Sequence, residues 1–374
     1  VIKLKLKKQL LSLKPYQPGK SIEEVKRQFN LKEINKLASN ENPFGSSSNV
    51  LKAIQNVNKP FSLYPDGYAT SLRESLAQFL RVEQEQLIFG NGSDEIIQII
   101  SRAFLDSNSN TVMATPTFPQ YKHNAIIENA EIREIPLLNG GHDLDRMLRS
   151  IDEHTSVVWI CSPNNPTGTY INEQQLITFL DQVSSGVLVV LDEAYYEYVD
   201  APDYYDSIKL INRYKNLIVL RTFSKIYGLA GFRLGYGVGN KELILGIEPA
   251  REPFNVNTLA LVAGEAAILD QEFVLKCKEA NKESLQLFYQ FCHENDLHYY
   301  PSQGNFILID FKMDGDVVFQ YLLERGFIVR SGKALGFPSS VRISMGLKEQ
   351  NETLIKLLKE FLVLREESLA KTLS

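Results

Sequence analysis

The sequence predicts an α/β fold in which a large, mostly parallel mixed sheet is flanked by helices, and three observations carry that prediction. Two uninterrupted apolar runs, Val157-Val158-Trp159-Ile160-Cys161 and Val187-Leu188-Val189-Val190-Leu191, read as strands buried on both faces. Strand-like runs alternate with helix-like ones over about residues 47–265, the pattern of parallel strands joined by helical crossovers. A length of 374 residues with 44% hydrophobic content exceeds one ordinary core, so two domains are expected.

Taken in order, the chain opens on Val1-Ile2-Lys3-Leu4-Lys5-Leu6-Lys7-Lys8, basic residues alternating with apolar ones. It lacks the continuous apolar stretch of a targeting segment and reads as an arm packed on the body. At Phe89-Gly90 a short strand breaks, and Ile96, Ile97, Ile99 and Ile100 begin a helical pattern that Ser93 or Asp94 can cap. The run ending at Cys161 leads into Ser162-Pro163-Asn164-Asn165-Pro166-Thr167-Gly168, a turn with a polar tip. The run ending at Leu191 leads into Asp192-Glu193-Ala194-Tyr195. A third apolar stretch, Asn216 to Leu220, leads into Arg221-Thr222-Phe223-Ser224-Lys225.

A long helical stretch follows from about Gln271 to Glu294, then a strand at Phe306-Ile307-Leu308-Ile309. Gly326 to Arg330 and Val341 to Gly346 read as two further strands. Alternation in the second sends Arg342 and Ser344 to the face opposite Val341, Ile343 and Met345. An amphipathic helix from Lys348 to about Glu366 closes the chain. No internal repeat or low-complexity linker is present. The expected organisation is an N-terminal arm and part of a small domain over 1–46, a large domain over 47–270 and a C-terminal small α+β domain over 271–374, with the active site in the cleft between them.

In open α/β sheets ligands bind beyond the carboxyl ends of the strands, so the polar tails of these segments converge on one pocket. Their chemistry matches what pyridoxal 5′-phosphate (PLP) requires. The aldehyde needs an amine, supplied by Lys225. The pyridine nitrogen needs a buried carboxylate to stay protonated, and Asp192 fits. The negative 3-oxygen is stabilised by donors such as the Tyr195 hydroxyl and the Asn164 amide. The phosphate calls for backbone N–H groups at a helix start, from Gly92, Ser93 and Asp94, for hydroxyls, from Thr222 and Ser224, and for a cation, Arg233. Each piece alone has a plain structural meaning: Asn-Asn-Pro-Thr-Gly is turn chemistry, Asp192-Glu193 a helix cap, Arg233 a rim charge. Their order and shared position favour the chemical meaning.

On these motifs, together with Leu37-Ala38-Ser39-Asn40-Glu41-Asn42-Pro43 and Tyr64-Pro65-Asp66-Gly67, the sequence resembles the fold-type I PLP-dependent aminotransferases over nearly its whole length, and most closely the histidinol-phosphate aminotransferases. The resemblance implies ping-pong transfer of an amino group between L-histidinol phosphate and 2-oxoglutarate, in histidine biosynthesis, by a cytoplasmic homodimer. Lys225, Asp192 and Tyr195 are then the expected catalytic residues. Tyr64 is expected to reach the cofactor phosphate from the partner subunit, and Phe118 to stack on the cofactor ring with its face. Tyr16, Asn42, Arg330 and Arg342 are the expected substrate-binding residues; a guanidinium fork suits both the phosphate of one substrate and the carboxylate of the other. Asn305 has equal claims as a pocket or a turn residue.

One departure is Phe254, which stands where some relatives carry a tyrosine that touches the substrate phosphate from the other subunit. It makes the pocket more apolar and raises aromatic amino acids as alternative substrates. A PLP lyase resembling threonine-phosphate decarboxylases is a further alternative. A regulator built on an aminotransferase-like domain is disfavoured, because the segment before Asn40 is too short for a DNA-binding domain. A net charge of −5 provides no global basic field for nucleic acid. Three cysteines (161, 277, 292) and five scattered histidines lack disulfide or metal spacing, and no apolar run approaches the ~20 residues that span a bilayer.

Overall fold

Odd and even residues of the apolar runs pack into different cores, which is why those runs carry no polar interruption. The computed structural model describes residues 5–13, 20–58 and 60–373. After a two-residue strand, β1 (Asn35–Lys36), come the seven strands of the main sheet: β2 (Leu87–Gly90), β3 (Asn110–Thr115), β4 (Glu131–Pro136), β5 (Thr155–Cys161), β6 (Leu188–Asp192), β7 (Leu217–Thr222) and β8 (Gly235–Gly239). Their spatial order is β2-β8-β7-β6-β5-β3-β4. Only β8 runs against its neighbours β2 and β7; the remaining pairs are parallel. Val158, Ile160, Val189, Leu191 and Val219 belong to one core, with Leu72 and Leu76 and with Ala260 and Ala263 from the helices Thr70–Leu80 and Thr258–Ile268. Val157, Trp159, Val190 and Ile218 belong to another, with Ile96, Ile97 and Ile100 of the helix Gly92–Phe104. Each fully buried aliphatic side chain contributes roughly 1.5–3 kcal/mol.

The rest of the chain builds β9 (His298–Tyr299), β10 (Phe306–Asp310), β11 (Phe327–Ile328), β12 (Arg330–Ser331) and β13 (Ser340–Ser344). A second, antiparallel sheet has the order β12-β13-β10-β9, and β1 pairs in parallel with β11, so both ends of the chain meet here. The expected single strand from Gly326 to Arg330 is two short ones, because the chain changes partner at Val329: β11 lies on β1 and β12 on β13. Val341, Ile343 and Met345 pack into the core under this sheet with Phe288, Leu354 and Leu358.

The helix Gln271–Glu294 starts where its capping residue Asp270 accepts the Phe273 N–H at 3.2 Å. Its first turns place Val274 and Cys277 in the large core, and its later turns place Phe288 and Phe291 in the small one. The last helix, Lys348–Leu373, runs past the expected end at Glu366. Near the N-terminus, Lys7 and Gln9 donate to the Ile127 carbonyl, so the arm docks on the main body. Ser93 and Asp94 are not caps: the helix begins at Gly92, with both residues in its first turn. Glu95 reaches back instead and accepts the Asn91 N–H at 2.6 Å.

Candidate active site

The parallel strands β3, β5, β6 and β7 deliver their carboxyl ends to one edge, and a cavity of about 250 Å³ opens there. Register aligns the exits: Cys161 pairs with Asp192, and Asp192 with Leu220. The antiparallel β8 brings Gly235 beside both Thr222 and Gly90. That close approach requires glycine, because a Cβ on Gly235 would sit 2.3 Å from the Ser93 nitrogen. The start of the helix Gly92–Phe104 is thereby pressed against the loop carrying Ser224 and Lys225.

Lys225 lines the cavity half-buried, its Nζ donating to the Ser39 carbonyl at 3.3 Å and lying 5.7 Å from the Tyr195 ring centroid. Burial, with the Arg342 charge adding to it, lowers its pKa to about 8. Asp192, only 3% exposed, forms part of the cavity floor. Burial raises its carboxyl to about 6, against the opposing effect of hydrogen bonds from the Tyr121 hydroxyl at 2.6 Å and the Ala194 N–H at 3.1 Å. Tyr195 accepts from the Asn40 amide at 2.9 Å, which leaves its own proton to donate into the cavity; burial holds its pKa up at about 12. Asn40 is held in turn by Ser344, which accepts its N–H and donates to its side-chain oxygen.

At the other end of the cavity lie Ser93, Asp94, Thr222, Ser224 and Arg233. Arg233 donates to Asp94 at 3.2 Å and to the Ser224 hydroxyl at 3.3 Å. Gly92, at φ +72°, leaves no room for a side chain: a Cβ would meet the Arg233 guanidinium at 2.6 Å. The helix's first-turn N–H groups adjoin this end, beside the Arg233 guanidinium and its Asp94 partner. Phe118 forms a side wall. Arg330 and Arg342, paired across β12 and β13, form another. Arg342 is buried and donates to Asn165 and, at 2.7 Å, to the Ala38 carbonyl, which fixes its fork.

Other expected residues lie elsewhere. Asn164 does not line the cavity: its amide is spent inside the turn, donating to Thr167 at 3.0 Å and accepting from Thr117 at 2.7 Å. Its neighbour Asn165 faces the cavity instead. Asn42 is also turned away, with its amide donating to the Ile226 carbonyl at 2.6 Å and toward Cys277. Asn305 holds the Asn40 carbonyl at 3.0 Å from below and does not reach the cavity. Tyr64 is 81% exposed and stacks on Phe254, with ring centroids 4.8 Å apart. Tyr16 lies outside the described residues.

Sequence reasoning missed Ser39, Asn40, Asn165, Leu335 and Cys161 as lining residues, and Tyr121 as the partner of Asp192. Asn165 was separable from Asn164 only by the conformation of the turn. Tyr121 comes three residues after Phe118, at the start of the helix Gln120–Ile127, and the two rings meet edge-on at 5.6 Å. Among the described residues no group of three or more metal-ligating side chains occurs.

The family model for aminotransferase class I and II matches residues 32–358. The histidinol-phosphate aminotransferase of Geobacillus sp. (strain WCH70) is 62% identical over 96% of this chain and 98% of its own length. That of Bacillus subtilis (strain 168) is 58% identical, covering 96% of this chain and all of its own. Among solved structures, histidinol-phosphate aminotransferase from Sinorhizobium meliloti in complex with pyridoxal-5′-phosphate superposes with a TM-score of 0.86 at 24% identity, over 95% of this chain and 98% of that one.

Proposed function

We propose, because the chain belongs to the class I and II aminotransferases and among them to the histidinol-phosphate aminotransferases, that it transfers an amino group between L-histidinol phosphate and 2-oxoglutarate with PLP as cofactor. One observation carries the proposal. A half-buried lysine amine, a buried carboxylate and a pair of arginines share a single cavity at the carboxyl ends of parallel strands.

The residues fit the cofactor. Asp192 is a buried carboxylate with a raised pKa, the kind of group that gains most from a cationic ring nitrogen. The cradle at Gly92, the first-turn N–H groups of Ser93 and Asp94, the hydroxyls of Thr222 and Ser224, and Arg233 suit a phosphate. Phe118 offers a ring face. Bound there, PLP supplies an aldehyde that takes up the substrate amine and a ring that withdraws the electrons released at its amino carbon.

Lys225 would hold the aldehyde, and its Nζ would move the proton at the substrate's amino carbon. Its pKa near 8 makes the amine available as a base close to neutrality. Asp192 would partner the ring nitrogen and favour its protonated form. The Tyr195 hydroxyl and the Asn165 amide, in place of Asn164, serve the 3-oxygen. Arg342 and Arg330 take the anionic end of either substrate, carboxylate or phosphate, which lets one site serve both halves of a ping-pong cycle. Tyr16 is assigned to the substrate phosphate on the family resemblance alone.

The working unit is a homodimer, in which the exposed Tyr64 reaches the partner's cofactor phosphate; its 81% exposure within one chain supports that role. The two domains are the large one over 47–270 and the small one formed by 1–46 and 271–374, and the enzyme is cytoplasmic. No helix among the described residues is long and apolar enough to cross a membrane. Phe254, stacked on Tyr64, supports a second substrate class, aromatic amino acids, because the family resemblance puts a phosphate-touching tyrosine at this position and a phenyl ring lacks that hydroxyl. Rates with histidinol phosphate and with phenylalanine, each against 2-oxoglutarate on one purified sample, decide the assignment. A clear preference for phenylalanine, or carbon dioxide release without amino transfer, overturns it.

A further inference from the structure

We propose that Tyr121 is a positioning residue for amino transfer: its buried hydroxyl, held in place by ring stacking, orients the Asp192 carboxylate toward the cavity as the charged partner of the cofactor's pyridine nitrogen. The proposal rests on the PLP assignment above and extends it to a residue that does not line the cavity.

Tyr121 is fully buried near the start of the helix Gln120–Ile127. Its ring lies parallel to Trp159, with centroids 4.9 Å apart and planes 12° apart, and Phe118 packs edge-on against it at 5.6 Å. Trp159 is anchored too: its indole N–H donates to Thr111 at 2.8 Å, and that hydroxyl donates to the Val157 carbonyl at 2.8 Å. The phenol therefore has little freedom about its ring axis, and its hydroxyl meets one oxygen of Asp192 at 2.6 Å. The other oxygen accepts the Ala194 N–H at 3.1 Å. One donor on each oxygen fixes the carboxylate plane and leaves further lone pairs for the cavity.

The groups facing Asp192 make this bond consequential. Burial disfavours its charge most, with Asp94 and Glu193 adding to it, while Cys161 and Tyr195 are neutral neighbours whose own pKa values burial raises. The two hydrogen bonds are what oppose this. Without the tyrosine hydroxyl, one donor is left to keep a buried carboxylate ionised near neutral pH. The same phenol touches Phe118, so the ring-stacking wall and the ring-nitrogen partner are set by one side chain.

Tyr121→Phe keeps the stack and removes only the hydroxyl. In the purified holoenzyme it is expected to move the acid limb of kcat, and the pH dependence of the bound cofactor's visible spectrum, upward by about one pH unit, the size of one hydrogen bond to a charged group. KM for the amino donor should change by less than about threefold, since no substrate contact is lost. In an Asp192→Asn background the same substitution should add nothing, because Tyr121 acts through that carboxylate. If Tyr121→Phe folds poorly, 3-fluorotyrosine at position 121 keeps the shape and, as a stronger donor, should move the acid limb down. pH profiles and spectra that superpose on the parent's, even with a lowered Tm, would overturn the proposal and leave Tyr121 a packing residue. The spectral titration needs no substrate, so a wrong substrate assignment leaves this test intact, and failure of the apoprotein to bind PLP would indict the functional assignment instead.

Discussion

Burial moves Lys225 and Asp192 in opposite directions, each toward its neutral form. Lys225 falls to about 8, so at pH 7 roughly a tenth of it is the neutral amine, against about one part in 2,500 for an ordinary lysine. The rate at which the apoprotein takes up PLP should therefore climb with pH up to about 8 and level off there, followed by visible absorbance; a rise continuing toward pH 10 would contradict the lowered value. Lys225→Ala should abolish both turnover and the cofactor's visible band. Asp192 has the opposite sign. Its folded pKa, about 6, exceeds an unfolded value near 4, so the folded apoprotein binds the extra proton and loses stability as pH rises through that window. Asp192→Asn should accordingly stabilise the apoprotein at pH 8 by about 1–3 kcal/mol in denaturant melts while lowering kcat at least about 100-fold. A variant that is both unstable and active would contradict the role. Asp192 and Lys225 were legible in the sequence because Asp192 directly ends an apolar run and Lys225 closes the polar tail Arg221-Thr222-Phe223-Ser224-Lys225 that follows another. Asn165 was not, since two adjacent asparagines in one turn differ only in which way the backbone points them.

At the scale of elements, the site depends on where the helix Gly92–Phe104 meets β8. Gly235 has no space for a methyl group, and the obstacle is the backbone of Gly92 and Ser93, which no side-chain adjustment relieves. Gly235→Ala should push the helix start away from the Arg233 side, costing about 1–3 kcal/mol of stability and weakening PLP binding more than substrate KM. Calorimetry on apoprotein and holoprotein separates the two effects, and unchanged PLP affinity would show that the helix start does not hold the phosphate. Most elements could be read from pattern alone: the helix Gln271–Glu294 begins and ends where its periodicity does, and β5, β6 and β7 follow the apolar runs. The misread elements have separate causes. Ser93 and Asp94 look like caps, but Glu95 reaches the Asn91 N–H first, and the Gly326–Arg330 strand breaks because two different partners pull on it.

For the whole molecule, the exposed Tyr64 and the stacked Phe254 are the features a single chain leaves unexplained. If Tyr64 completes the partner's site, Lys225→Ala and Tyr64→Ala chains, each impaired alone, should complement on mixing. Random reassortment makes half the dimers hybrid, each with one intact site, so activity should recover to roughly a quarter of the parent's. No recovery, with exchange verified by mass, would remove Tyr64 from the shared site. Sequence alone determined the fold class, the reaction family and the identities of the residues at the strand exits, because buried parallel strands need continuous apolar runs and their polar ends stand out against them. Tertiary structure decided the rest. It chose Asn165 over Asn164, turned Asn42 away, set Tyr121 against Asp192 and pressed Gly235 onto the helix start. Such choices depend on packing between segments distant in sequence, and no local pattern along the chain encodes which of two neighbouring side chains will point into the same few ångströms of space.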